Sequence, residues 1–349
     1  MIQKTIGVIG AGAWGTAMAF ALAREGHSVE LWALETEVAD EINRLHTNEK
    51  YLSGFQFPPN LTASADIRKA AEGKDFIILA SPSLFLASTV KQLLDVPSVA
   101  AGTACIGVLT KGFIPSPAGP RLILETLEEV LPASYRKNLV YISGPSHAEE
   151  VAMGKVTGLI AASENPKNSI SFRELLKSRR MRVFSSFDVV GVQVCAAAKN
   201  VVAIAFGCLD ALAESSPSFG DNTESLLLAA GLNEMQTIGV AMGATHAETF
   251  TSIAGVGDLD VTCRSKYGRN RRFGHDIIKK NILGAYKSID DLISHIQEIG
   301  YLPEGAVACK YVHEITLRHN LKLPICSGLY RILNREIEPL TFINELLSE

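Results

Sequence analysis

Several things are scarce or missing in this 349-residue sequence, and each absence removes a class of function. Positive charge is not in excess. Lys and Arg number 33 against 37 Asp and Glu, a formal net charge of −4, so neither nucleic acid nor an anionic membrane is an expected partner. The six cysteines (Cys105, Cys195, Cys208, Cys263, Cys309 and Cys326) include no C-x-x-C pair, which points to free, mostly buried thiols in a reducing cytosol rather than to disulfides. The eight histidines are dispersed, with no H-E-x-x-H and no zinc-like Cys/His spacing, so no metal is expected.

No uninterrupted bilayer-length apolar run exists. The longest candidate, 192–213, is broken by Gln193, Lys199, Asn200 and Asp210, and reads as a helix buried in protein rather than one inserted in a membrane. The chain reaches its first strand within a few residues, which predicts no signal peptide and a cytoplasmic location. Gly144-Pro145-Ser146-His147 sets Ser beside His but is no nucleophile elbow; Ser146 is expected to cap a helix, with Glu149 completing a capping box.

What is present begins almost at once. A run of β-formers, Thr5-Ile6-Gly7-Val8-Ile9, enters Gly10-Ala11-Gly12-Ala13-Trp14-Gly15 and then a stretch of small helix formers. In a strand–turn–helix of this kind Gly10 permits the bend, Gly12 lets a pyrophosphate approach the backbone, and Gly15 lets helix and strand pack closely. The helix N-terminus adds N–H donors and partial positive charge. A dinucleotide is the expected ligand. The acidic residue that would hold its ribose is Glu30 or Glu35, and no arginine comes directly after the second strand to hold a 2′-phosphate, so the reading leans to NAD with NADP tolerated.

Short apolar runs at 28–32, 76–80, 104–109, 140–142, 158–162 and 182–185 alternate with helical spacing at 36–46, 84–94 and 119–131. Repeated βα units predict a doubly wound parallel sheet. From about residue 188 helical periodicity takes over, at 190–213, 223–242, 247–254, 271–280, 289–299, 306–318 and 326–333. The expected organisation is a Rossmann-like dinucleotide-binding domain over 1–187 and an all-helical substrate-binding and catalytic domain over 188–349. Its Ala- and Leu-rich helices leave surface for a homodimer.

Candidate chemistry clusters in a few places. Segments at strand ends, Ser81-Pro82-Ser83, Thr110-Lys111-Gly112 and Ser143-Gly144-Pro145-Ser146, lie where doubly wound sheets bind ligands, and Lys111 carries their one strong charge. Lys199 sits among small and apolar neighbours in Ala198-Lys199-Asn200-Val201, so its amine must pair, lose its proton or face a polar cavity; burial that lowers its pKa would suit acid–base work. Asn200, about 100° further round the helix, could orient a ligand or make a structural hydrogen bond. Asp258, in Gly255-Val256-Gly257-Asp258, could hold Lys199 or a substrate hydroxyl. Arg269, Arg271 and Arg272 come after Gly268 at the entry to a helix and read as an anion clamp.

In order along the chain, these segments resemble the NAD(P)-dependent glycerol-3-phosphate dehydrogenase family in its bacterial form. The resemblance rests on the Gly10–Gly15 turn running into Thr16-Ala17, Pro58-Pro59-Asn60-Leu61, Thr110-Lys111-Gly112, Ile142-Ser143-Gly144-Pro145-Ser146-His147-Ala148-Glu149-Glu150, Ala198-Lys199-Asn200-Val201, Gly255-Val256-Gly257-Asp258-Leu259, Arg269-Asn270-Arg271-Arg272-Phe273-Gly274 and Pro303-Glu304-Gly305. It implies a two-domain enzyme that interconverts dihydroxyacetone phosphate and sn-glycerol 3-phosphate for phospholipid synthesis, using NAD or NADP.

By the same resemblance Lys199 exchanges the proton at the C2 oxygen. Lys111, Gly144, Ser146, Asp258, Gly268, Arg269 and Asn270 line the substrate site. Gly10, Gly12, Ala13, Trp14, Gly15, Leu34, Lys111, Ala148, Arg269, Leu302 and Glu304 meet the cofactor. Gly268 replaces the Ser often found before the Arg-Asn pair, and Glu224 and Ala230 stand where basic residues are usual. Competing expectations are another two-domain hydroxyacid dehydrogenase, and an NAD(H) sensor without turnover.

Overall fold

A computed structural model describes residues 2–265 and 268–348. The chain folds into two compact units, one of residues 1–114 and 122–189 and the other of 115–121 and 190–349. A simple cut near 188 therefore misses one exchange: the short Pro115–Arg121 segment packs with the second unit, where Arg318 donates to the Ala118 carbonyl.

The described residues hold ten strands: β1 (Thr5–Ile9), β2 (Ser28–Trp32), β3 (Leu61–Ser64), β4 (Phe76–Leu79), β5 (Cys105–Val108), β6 (Phe113–Ile114), β7 (Arg121–Leu122), β8 (Val140–Ser143), β9 (Thr157–Ala162) and β10 (Met181–Ser186). Eight form one sheet in the order β10-β9-β8-β5-β4-β1-β2-β3, and β6 and β7 form a separate ribbon. Fully buried runs such as Phe76-Ile77-Ile78-Leu79 make the central strands, as a sheet covered on both faces requires.

The sheet is not all parallel. β8 and β9 pair antiparallel, with Ile142 opposite Ala161, while β9 and β10 are parallel to each other. Between β8 and β9 stands the six-residue Ala148–Met153 helix, closed by Gly154 in the left-handed region (φ 75°), and between β9 and β10 the eleven-residue Pro166–Leu176 helix.

The second unit is helical among its described residues. Its axis is the Val189–Ala213 helix, long and apolar enough to cross a bilayer, yet 89 % of its most apolar window is buried inside the protein. It is a core helix. Small residues let neighbours come close: a Cβ on Gly207 would overlap the Arg271 carbonyl oxygen, and one on Gly274 would overlap that of Ile204. The Val189–Ala213 and Arg269–Lys279 helices thus meet main chain to main chain, closer than side chains would allow.

All six cysteines are thiols, five buried and Cys105 half-buried. Burial pushes the Cys105 thiol up to about 11 and Cys208 to about 12, so both stay protonated and inert at neutral pH.

Candidate active site

In the first unit the glycine turn has the geometry its residues demand. Gly10 takes φ 127°, out of reach of ordinary side chains, and a Cβ on Gly15 would overlap the Gly10 carbonyl oxygen. Gly12 differs: a Cβ there would meet nothing within 4 Å. It is the N-cap of the Ala13–Arg24 helix and supplies no side-chain cap to the first N–H groups of the helix. An uncapped helix start behind an unobstructed glycine is a cradle that fits a pyrophosphate.

The turn is braced by a residue that pattern reading missed. The Asn48 amide donates to the Ala11 carbonyl (3.1 Å) and to Thr16 Oγ1 (2.9 Å), and Thr16 Oγ1 itself donates to Ala11 (3.0 Å). Asn48 is fully buried, and nothing in its local sequence announces a partner more than thirty residues away.

Beyond β2, Leu34 is 76 % exposed. Glu35 accepts hydrogen bonds from Tyr51 Oη (2.6 Å) and Lys50 Nζ (3.0 Å). Burial works to raise the Glu35 carboxyl, but the two donors together hold it below its ordinary range. Glu30, the other acidic candidate, lies mid-strand and is paired with Lys74 at 2.7 Å.

At the other strand ends, Thr110 Oγ1 donates to the Ser81 carbonyl (2.7 Å), tying the ends of β4 and β5 beside the half-buried Lys111. Gly144 adopts φ 121°, and Ser146 Oγ donates back to its carbonyl (2.9 Å). Ser146 therefore does not cap the next helix: His147 occupies the N-cap position, without a side-chain cap bond, and Ala148 is the first helical residue. The expected capping box is absent because the helix starts at Ala148, which puts His147 rather than Ser146 at the N-cap.

In the second unit Lys199, 5 % exposed, points its ammonium at the Asp258 carboxylate and at Thr262 Oγ1 (2.8 Å). Asp258 is 1 % exposed, and Thr262 lies one turn further along the same Asp258–Arg264 helix, donating to the Asp258 carbonyl at 2.6 Å. Of the outcomes open to a buried lysine, this chain takes pairing. A carboxylate at hydrogen-bond distance favours the charged ammonium. Instead of a simple glycine turn, residues Ile253–Gly257 form a π-helical turn leading into that helix, with Gly255 packed on the Phe250 backbone. Such turns widen a helix locally and redirect its next residue, here Asp258. Asn200 is buried, with its carbonyl against the bare Gly305 backbone.

The three-arginine clamp does not form. Arg271 makes a two-pronged pair with Asp210 (Nε 2.5 Å, Nη2 2.9 Å), and Arg272 lies over the Tyr301 ring at 4.6 Å and 3.7 Å from Asp276. Arg269 and Arg272 are exposed and Arg271 is half-buried; Arg269 is the first helical residue, behind Gly268, an N-cap without a side-chain bond. Asn270 Oδ1 accepts from the Gly305 N–H (2.9 Å), joining that helix to the start of the Glu304–His319 helix, beside half-buried Leu302 and Glu304. Glu224 pairs with Arg264 at 3.3 Å, and Ala230 is half-buried.

Comparison with known proteins matches the chain over nearly its whole length. Residues 5–169 match the N-terminal part of NAD-dependent glycerol-3-phosphate dehydrogenase, and residues 188–344 match its C-terminal part. The chain is 60 % identical to a glycerol-3-phosphate dehydrogenase [NAD(P)+] of Treponema denticola, covering 99 % of both chains. It is 56 % identical to that of Treponema pallidum, over 99 % of this chain and all of the relative. Among solved structures, glycerol-3-phosphate dehydrogenase from Coxiella burnetii superposes with a TM-score of 0.86 at 32 % identity, over 99 % of each chain. The chain belongs to the NAD-dependent glycerol-3-phosphate dehydrogenase family.

Proposed function

We propose that this protein is an NAD(P)-dependent glycerol-3-phosphate dehydrogenase that interconverts dihydroxyacetone phosphate and sn-glycerol 3-phosphate, with the first unit binding the dinucleotide and the second the substrate. The observation that carries the reading is the buried Lys199–Asp258–Thr262 cluster. A positive charge held in the core against a carboxylate and a hydroxyl is costly to build for stability alone. It suits a reaction in which negative charge develops on a neighbouring oxygen.

A nicotinamide bound in the first unit would supply the hydride for C2 of the ketone, or take it from the alcohol. Lys199 holds the proton at the C2 oxygen. In reduction its ammonium stabilises the charge gathering there and then donates; in oxidation the amine takes the proton back. Asp258 and Thr262 fix the direction of Nζ, so that the ammonium presents its proton to the substrate oxygen in one orientation.

Arg269 and Asn270, with the N–H groups of their helix start, bind the substrate phosphate, and Gly268 leaves that start without the hydroxyl a serine would add. Lys111, Gly144 and Ser146 complete the substrate site. Gly10, Gly12, Ala13, Trp14 and Gly15 hold the pyrophosphate. Leu34 flanks the adenosine, and Lys111, Ala148, Arg269, Leu302 and Glu304 meet the rest of the cofactor. Phosphate binding remote from the reacting carbon fixes C2 for hydride transfer.

The end of β2 carries Glu35 already neutralised by Lys50 and Tyr51. That supports NAD as the preferred cofactor with NADP tolerated, since neither a bare carboxylate nor an arginine dominates. A cytoplasmic enzyme feeding phospholipid synthesis, working as a homodimer through the exposed Leu226 and Val240 face of the Asp221–Ala241 helix, completes the proposal.

The test is turnover. Loss of NADH absorbance with dihydroxyacetone phosphate, and not with a β-keto acid, is expected. Turnover of the keto acid alone would move the chain to another hydroxyacid dehydrogenase activity, and none with either would make it a sensor.

A further inference from the structure

At the far end of the helix that starts at the glycine turn lies a cavity of about 480 Å³, wholly within the first unit. The Ala13–Arg24 helix is twelve residues long, so this cavity is about 18 Å from the proposed pyrophosphate cradle. Its walls are built from the end of that helix, the end of the Ala148–Met153 helix, and the starts of β9 and β10.

The charges are one-sided. Arg24, Lys155, Arg179 and Arg180 line the cavity against a single carboxylate, Glu25. Arg24 is fixed in place: Nη1 donates to the Ala152 carbonyl (2.7 Å), Nη2 to that of Val151 (2.8 Å), and its guanidinium lies 4.4 Å from the centre of the Phe20 ring. Arg180 is laid over Gly154, where a Cβ would collide with its guanidinium. Burial and the nearby Arg180 charge push the Arg24 guanidinium down, and Glu25 offsets only part of this. Two like charges held together by packing are relieved when an anion enters between them.

Ser178 adds a polar group. Its Oγ accepts from the Arg180 and Met181 N–H groups (3.2 and 3.1 Å) and, among the described residues, makes no bond as a donor, so its O–H can serve a ligand. Lys155, paired with Glu150 at 2.9 Å, closes the rim. Ala21, Val151 and Met181 supply an apolar wall.

We propose that this cavity is a second ligand site, separate from the active site, that takes a phosphate monoester with an uncharged, partly apolar body. Guanidinium forks with a hydroxyl match a phosphoryl dianion, and the volume leaves room for a body beyond the phosphate. Two sources share this chemistry, a free metabolite and a lipid headgroup. Lys155 lies between Met153 and Val156, which are 48 % and 83 % exposed, so both sources are tested.

The experiment is a calorimetric titration of the full chain with phenyl phosphate, repeated on Arg179→Gln/Arg180→Gln and on Lys155→Gln. Wild-type protein is expected to show saturable binding that weakens at least tenfold in the double variant and by a smaller factor in Lys155→Gln. Turnover of dihydroxyacetone phosphate without phenyl phosphate should stay within twofold of wild type in both, which also reports that they fold. Binding unchanged in both variants, or no binding to the wild type, overturns the proposal. A parallel arm sediments the protein with phosphatidylcholine vesicles with or without phosphatidic acid. Sedimentation that needs phosphatidic acid and is lost in the double variant assigns the headgroup. No sedimentation, with soluble binding intact, assigns the free phosphate monoester. The readout is binding, so its failure leaves the dehydrogenase reading untouched.

Discussion

The glycine turn and the lysine cluster are opposite ways to make a site. The turn is assembled from six consecutive residues whose proposed role rests on backbone conformation, and it keeps an opening where Gly12 has no side chain. The cluster draws Lys199 and Asp258 together across 59 residues and buries a charged amine against its carboxylate. In the turn, adding an atom does the damage. In the cluster, removing one does. Stability and function should therefore separate in the first region and fall together in the second.

The largest expected effect is on the chemistry itself. Lys199→Ala should lower kcat by about 10³-fold or more in steady-state assays, while NADH binding followed by fluorescence stays within threefold of wild type. Near-normal turnover would remove Lys199 from the mechanism. Asp258→Asn should cost stability as well as rate, because it leaves a buried ammonium without its carboxylate; about 3 kcal/mol is expected by denaturant titration. An unchanged midpoint would mean that the pair is weaker than its burial implies.

Gly12→Ala should do the reverse. The new methyl enters open space, so the melting temperature should hold within about 2 °C while the KM for cofactor rises at least tenfold. A large loss of stability with unchanged cofactor KM would erase the contrast. Asn48→Ala lies between, since it removes two hydrogen bonds to the turn, and a loss of about 2 kcal/mol with a several-fold rise in cofactor KM is expected.

The smallest effect concerns Glu234, buried under the start of the Pro324–Leu333 helix, where it accepts the Ile325 and Cys326 N–H groups at 2.6 and 2.9 Å. Burial pushes its carboxyl above the ordinary value of 4.5 despite those donors. A folded-state pKa above the unfolded one binds the proton more tightly in the native protein. Its contribution is therefore lost as pH rises from the unfolded value through the folded one. The melting temperature of wild type relative to Glu234→Gln should fall from pH 4.5 upward; a difference that does not vary with pH would contradict this.

Local signals were legible in the sequence and distant ones were not. The runs at 76–80 and 104–109 become β4 and β5 because four apolar residues in a row leave little choice but a covered strand. β3, Leu-Thr-Ala-Ser, has no such run, and it is defined only by pairing with β2. The Pro166–Leu176 helix also escaped: its short buried stripe, which packs on β9 and β10, begins with Ser169 rather than an apolar residue. At the site, Lys199 could be singled out because a charge among alanines is a local anomaly. The arginine cluster misled because Asp210, the partner that removes Arg271 from anion binding, is 61 residues away. Thr262 had a usable signal, four positions after Asp258 on one helical face.

The close crossing at Gly207 and Gly274 has a consequence for how the second unit could be altered. Lys199 and Arg269 ride on the two helices that touch there. Their spacing is set by hard contact of peptide groups, which do not change rotamer. Side chains around them could be exchanged to admit a longer or shorter alcohol, and the proposed proton donor Lys199 and proposed phosphate anchor Arg269 would keep their separation. That crossing acts as a gauge block: the walls are adjustable, and the ruler is not.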